Sequence, residues 1–138
     1  MEVDAHGLEV LDERECLRLL ASVPVGRVAF TDRALPAIQP VNFVMDGSDV
    51  ILRTGPGSKL GLAIRRTIVA FEADSFDADV RSGWSVTLLG EARGVTDPAE
   101  RERLAALPLP IWTPGPRDHY IRISGRYVSG RRISAVTV

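Results

Sequence analysis

Residues 26–53 read GRVAFTDRALPAIQPVNFVMDGSDVILR, and they decide the fold class. Gly26-Arg27-Val28-Ala29-Phe30-Thr31 alternates apolar and polar side chains in the strand manner. Asp32-Arg33-Ala34 supplies a turn into a second alternating run over residues 37–44. Asp46-Gly47 is a hairpin signal, because both residues tolerate positive φ, and it leads into Val50-Ile51-Leu52-Arg53. Three strands in so few residues make an antiparallel meander.

Toward the N-terminus, Asp12 and Glu15 form a capping box. With Cys16, Leu17, Leu19, Leu20 and Val23 at helical spacing, they predict a helix over residues 12–22, ended by Pro24. Residues 1–9 are expected as a flexible lead. Toward the C-terminus, residues 54–58 read as a loop, 59–66 as a short helix, 68–74 as a strand and the polar stretch 75–82 as a solvated loop. Residues 84–95 form a long strand with a bulge expected at Gly90. Asp97 and Pro98 open a helix to about Ala106. Residues 107–117 contain four prolines and Trp112 and predict no regular structure. Two further strands fall at residues 120–123 and 126–133. The sum is one domain over residues 1–138, with six or seven strands and two or three short helices, and an antiparallel sheet closed into a barrel.

Composition narrows the function. A chain of 138 residues with 45% hydrophobic and 25% charged side chains can bury a real core. A formal net charge of −1 with no basic tail argues against a nucleic-acid partner. Cys16 is the only cysteine, so no intrachain disulfide and no cysteine-rich metal motif is possible; its leucine neighbours predict a buried, unreactive thiol. The acidic N-terminus has no apolar leader and no run of about 18 apolar residues occurs, which predicts a cytoplasmic protein without a membrane partner. Of the seventeen cationic residues sixteen are arginines, and Lys59 is the single lysine.

Lys59 ends the segment with the clearest chemistry. Arg53-Thr54-Gly55-Pro56-Gly57-Ser58-Lys59 lies between a strand and a helix. Glycines let backbone N–H groups approach a phosphate, and Arg53, Lys59 and the hydroxyls of Thr54 and Ser58 complement them. The Walker A spacing is absent. The alternative is a Gly/Pro turn with solvated charges.

This segment is one of an ordered set: Gly26 to Phe30, Pro40 to Val44, Arg53-Thr54 with Gly57-Ser58-Lys59, Val69 to Asp74, and Trp84-Ser85-Val86 through Gly90-Glu91-Ala92. The set resembles the pyridoxamine 5′-phosphate oxidase-like flavoproteins, especially their nitroimidazole-reductase-like branch, over residues 10–133. The resemblance implies a six-stranded antiparallel split β-barrel with short flanking helices, and a homodimer holding FMN at its interface. It also implies that Arg53, Thr54, Ser58 and Lys59 hold the phosphate, that Val41, Asn42 and Phe43 lie along the isoalloxazine, and that Trp84 and Ser85 reach the flavin of the partner subunit. On that reading the protein is a flavin-dependent oxidoreductase acting on a small molecule. The deazaflavin F420 or haem in the same barrel, or a cofactor-free dimeric interaction module, are the alternatives.

Other residues carry structural readings beside the functional ones. At least one of Val41 and Phe43 is expected in the core. Glu72 and Asp74 share a strand face, where solvent or an interface ion pair is expected rather than an acid/base pair. His119 would serve near a substrate or as a structural residue, and Trp112 as a flavin lid, a dimer seal or a loop packed on its own barrel. No nucleophile set or metal spacing occurs, so no catalytic side chain is assigned.

Overall fold

The computed structural model describes residues 1–55, 57–64, 66–112 and 119–134. Its elements run β1 (Glu9–Leu11), α1 (Glu13–Leu20), β2 (Val25–Asp32), β3 (Leu35–Asn42), β4 (Val44–Asp46), β5 (Asp49–Thr54), α2 (Lys59–Ala63), β6 (Thr67–Asp77), β7 (Ser82–Gly94), α3 (Pro98–Ala105), β8 (His119–Ile123) and β9 (Tyr127–Ile133). The strands are antiparallel in the order β3-β2-β6-β7-β8-β5-β4, with β9 beside β7 and β1 beside β9. The sheet curls until β3 and β5 approach one another, which is the split-barrel class expected. The described strands number nine because the run at residues 37–44 breaks at Phe43 into β3 and β4, and because three residues before α1 add β1. No described helix is long and apolar enough to cross a membrane.

Local chemistry explains most boundaries. Asp12 accepts the Glu15 N–H at 2.8 Å and Asp97 accepts the Glu100 N–H at 3.0 Å, so both helices begin at a capping carboxylate. Arg33 and Ala34, both at positive φ, make the two-residue turn between β2 and β3. Gly47 at φ +62 turns β4 into β5.

The core lies inside the curl. Val28, Leu52, Phe71, Val86 and Leu88 are fully buried, and α1 plugs one end with Cys16, Leu19 and Leu20. Burial pushes the Cys16 thiol above its ordinary range, in keeping with an inert apolar side chain. Ile51, Val95, Leu104 and Tyr120 form a smaller cluster beneath α3. Beside it Arg122, on β8, donates to Glu100 at 2.9 Å, Asp49 at 2.8 Å and Asp46 at 2.9 Å. Arg93 also binds Glu100, and Arg103 binds Asp46, so α3 and the β4–β5 hairpin are tied to β8 by charge.

Three expectations need correction. The stretch at residues 75–82 is not a loop: β6 and β7 stay paired through Asp77 and Ser82, and only residues 78–81 turn. This ribbon projects beyond the core, so its side chains are solvated although its backbone is paired. Gly90 makes no bulge against β6, because the register runs unbroken through Val69 and Gly90. Here the glycine serves close packing: a Cβ would collide with the Ser124 carbonyl oxygen, where β7 changes partner from β9 to β8. The second helix stops at Ala63, and Ile64 turns extended to bury its side chain; Arg65 lies outside the described residues. The N-terminal residues contact β9. Asp4 accepts from the His6 and Leu8 N–H groups and from Arg131 Nε at 3.0 Å.

Candidate functional site

Strand β5 delivers Arg53 and Thr54 to the rim of the barrel, where they pair with Tyr120 and His119 of β8. The Arg53 guanidinium lies 5.1 Å over the Tyr120 ring, a cation–π contact that fixes its position. Beyond Thr54 the chain turns back. The Ser58 N–H donates to the Gly55 carbonyl at 3.3 Å, and Gly57 sits at φ +75, a conformation costly for any side chain. Ser58 then caps α2, its Oγ accepting the Gly61 N–H at 3.3 Å. That bond uses a lone pair of the hydroxyl and leaves its proton to donate elsewhere.

Facing this loop is the end of β3. Between them lies a cleft of about 320 Å³, bounded by residues 39–42, by Arg53, Thr54, Gly55, Gly57 and Ser58, and by residues 109–111. Asn42 fastens the third wall: it donates through Nδ2 to the Pro24 carbonyl at 3.2 Å and accepts the Trp112 N–H on Oδ1 at 3.0 Å. The segment leaving α3 is therefore pinned across the mouth of the cleft, and the Trp112 side chain stays exposed.

Of the residues singled out in the sequence, Val41, Asn42, Arg53, Thr54 and Ser58 line this one cleft. Lys59 does not. Its Nζ lies 3.5 Å from Asp32, beside a neighbouring cavity shared with Thr31, Arg33 and Leu62. Phe43 turns into the core, 2% exposed and edge-on to Phe71 at 4.7 Å, and its N–H is spent on the Pro24 carbonyl. Val41, the other member of that pair, is partly buried against the core at the cleft. Trp84 and Ser85 lie on β7, opposite Ser75 and Asp74 of β6, and outside the cleft. His119 is exposed and borders a second cavity of about 270 Å³ that adjoins the same loop. Residues 39, 40 and 109–111 were not anticipated as lining, although the proline-rich stretch with Trp112 had signalled a covering loop. Pro56 and residues 113–118 lie outside the described residues.

The outer face of β3-β2-β6-β7-β9 is open. Ile38, Ala29, Ala70, Leu89 and Tyr127 stand side by side across its five strands, and Ile38 and Tyr127 are each about 70% exposed (72% and 68%). The next row holds Pro40, Arg27, Glu72, Thr87 and Ser129. Arg27 reaches Glu72 at 3.1 Å and Asp74 at 3.3 Å. Partial burial, followed by the adjacent Asp74, pushes the Glu72 carboxyl up to about 7. The two acids lie on this face rather than in the cleft, and they form an ion cluster with Arg27. No group of three or more candidate metal ligands occurs among the described residues.

Comparison with known proteins gives relatives over nearly the whole chain. The uncharacterized protein Rv0080 of Mycobacterium tuberculosis is 43% identical over 130 residues, covering 91% of this chain and 85% of its own. The structure of an FAD binding protein from Mycobacterium smegmatis superposes with a TM-score of 0.78 at 36% identity, covering 91% of this chain and 97% of that one. A conserved Corynebacterium diphtheriae protein of unknown function superposes with a TM-score of 0.77 at 35% identity, covering 94% and 98%. The family model described as pyridoxamine 5′-phosphate oxidase matches residues 12–132, and the chain belongs to that family.

Proposed function

We propose that this chain binds a flavin nucleotide, with the ribityl phosphate on the loop from Arg53 to Ser58 and the ring system against residues 39–42, and that it acts as a flavin-dependent oxidoreductase on a small molecule. The observation that carries the reading is the convergence of Arg53, Thr54, Ser58 and two glycines with the end of β3 on one cleft. The donor set fits an anionic phosphate: a guanidinium fixed over Tyr120, a Ser58 proton left to donate, and a glycine turn that keeps side chains away. The 36%-identical Mycobacterium smegmatis protein, which binds FAD, supports the flavin class.

A bound flavin would supply hydride or electron transfer, which accounts for the lack of a nucleophile set among the residues. The chain's own part is binding, orientation and exclusion of water. Arg53 neutralises phosphate charge, and residues 109–111, held through Asn42, limit solvent at the cleft. Lys59 would join the phosphate by exchanging Asp32 for it. The open five-stranded face is where a second copy would dock, placing Ser85 at the interface. An apolar row alongside both signs of charge suits an isologous contact.

Fluorescence titration with FMN and FAD tests the reading. The expected result is one flavin per chain, weakened in Arg53→Ala by about ten- to a hundredfold, since a charge-assisted hydrogen bond is worth about 1.5–3 kcal/mol. Folded protein that binds neither flavin would overturn it, and preference for F420 over both would move it to deazaflavin chemistry. Sedimentation of an Ile38→Glu variant tests the dimer: monomers are expected where the parent is dimeric.

A further inference from the structure

The open face has an order beyond its apolar row. Side chains alternate along a strand, so every second residue of β6, β7 and β9 points outward with Ala70, Leu89 and Tyr127. Ile68 follows on one side of that row. On the other side, past Arg27 and Glu72, come Asp74, Ser85 and Arg131, and then Phe76, Gly83 and Ile133. Ile38, Ile68, Leu89, Tyr127, Phe76 and Ile133 are all exposed on this one face. An apolar surface of this extent marks an interface. The ion cluster of Arg27, Glu72 and Asp74 lies between its two apolar margins, so a partner that covers both margins also covers the acids.

That cluster holds two carboxyls and one guanidinium. Arg27 Nη1 serves both acids, and the two carboxyls lie within hydrogen-bonding reach of one another, a contact that needs a proton on one of them. The neighbouring strands bring no second cation to it. β2 adds Val25 and Ala29, β3 Pro40, and β7 Ser85 and Thr87. β9 adds Ser129 and Arg131, whose guanidinium is turned to Asp4 at 3.0 Å, and Glu91 beside Ile68 is a further acid. With both acids ionised the cluster is negative. A second copy brings the same set and cannot make up the deficit. One proton per subunit does: it leaves one carboxylate to one guanidinium, with the protonated acid donating to its neighbour. Partial burial and the adjacent Asp74 already hold the Glu72 carboxyl at about 7 before any partner docks, and withdrawal of water from the face raises it further. We infer that two copies join through this face with uptake of one proton from solvent per subunit at the Glu72–Asp74 pair, so that the dimer is tighter in mildly acid than in mildly alkaline solution. This rests on the docking of a second copy proposed above and adds its control by pH.

Sedimentation equilibrium of the full chain at pH 6 and pH 8.5, at one ionic strength, is the test, with Glu72→Gln and Asp74→Asn beside the parent. The sign is fixed by linkage. The pair holds its proton more firmly in the dimer, so the added association is complete at low pH and is lost as pH rises through the dimer's value. Two protons per dimer set a ceiling of about a hundredfold in dissociation constant per pH unit, and a rise of at least about thirtyfold is expected between pH 6 and 8.5. Both substitutions keep the size of the side chain, and circular dichroism reports that the variants fold. Glu72→Gln keeps a neutral donor beside Asp74, and Asp74→Asn leaves one carboxylate to one guanidinium. Each should therefore dimerise with a constant that changes by less than about threefold over the same range. Equal association of the parent at the two pH values would overturn the inference and leave the dimer standing. So would a pH dependence that persists in both variants, since it would belong to another group, such as His6 next to Asp4. A folded parent that is monomeric at both pH values would end the dimer reading and this inference together.

Discussion

Replacing Arg122 by methionine would remove a guanidinium that holds three carboxylates at once. The Arg122 side chain is 11% exposed, and Asp46, Asp49 and Glu100 lie 2.8–2.9 Å from it. Methionine preserves much of the volume, so the cost is chiefly that of carboxylates losing their cation. Breaking a fully buried pair costs about 3–5 kcal/mol. Here the acids are 18–26% exposed, Asp46 keeps Arg103 and Glu100 keeps Arg93, so about 2–3 kcal/mol is expected. That is a large share of a typical stability of 5–15 kcal/mol, and lowers Tm by roughly 6–15 °C. The pH dependence has a definite sign. Hydrogen bonds from Arg103 and Arg122 hold Asp46 at about 2, below its ordinary 3.8. In the parent protein that stabilisation is full above the unfolded value and is lost as pH falls through about 2. In the variant the acids repel one another at pH 7, and protonating them relieves the repulsion, so the deficit narrows as pH falls toward 4. Urea unfolding of both proteins at pH 7 and 4.5 measures it. A loss below about 0.5 kcal/mol, or a deficit independent of pH, would refute the claim that this network docks α3 and the β4–β5 hairpin on β8.

Four residues elsewhere give independent checks. Gly90→Ala should cost at least about 1–3 kcal/mol in thermal unfolding, because its Cβ collides with the Ser124 carbonyl, a backbone atom that cannot rotate away. Glu72→Gln should gain stability relative to the parent between pH 5 and 8.5, read as Tm. The parent's Glu72 is raised to about 7, so its stabilising proton is lost as pH rises through that value, whereas the amide loses nothing. Asn42→Ala breaks the bonds to Pro24 and Trp112, worth about 0.5 kcal/mol each at an exposed site; flavin affinity should fall about threefold, with a change in tryptophan emission. Asp97→Ala should cost about 1 kcal/mol in urea unfolding through loss of the α3 cap.

How much of the fold could be read in advance depends on how far apart in the chain the causes lie. The capping acids Asp12 and Asp97, the Asp46-Gly47 turn and the alternation in β2 act over four residues or fewer, and all of them lie where the sequence puts them. The loop at the cleft was legible for the same reason: Arg53, Thr54, Gly57 and Ser58 are one short segment. The misreadings arise where distant chain segments meet. Gly90 looked like a bulge because a glycine in a strand has two explanations, and only Ser124 of another segment decides between them. Polar composition made residues 75–82 look unpaired, but pairing depends on the backbone of β7 and not on those side chains. Val41 and Phe43 part company because β3 ends between them, leaving one at the cleft and sending the other against Phe71. Asn42 lines the cleft, and its side-chain amide bonds to the Pro24 carbonyl on one side and to the Trp112 N–H, seventy residues on, at the other. A single loop can announce the donors of a binding site. The other walls of the cleft come from β3 and from the segment after α3, whose proximity no local pattern encodes. The flavin, read as FMN, came from the resemblance carried by the ordered set of motifs and not from any one local pattern.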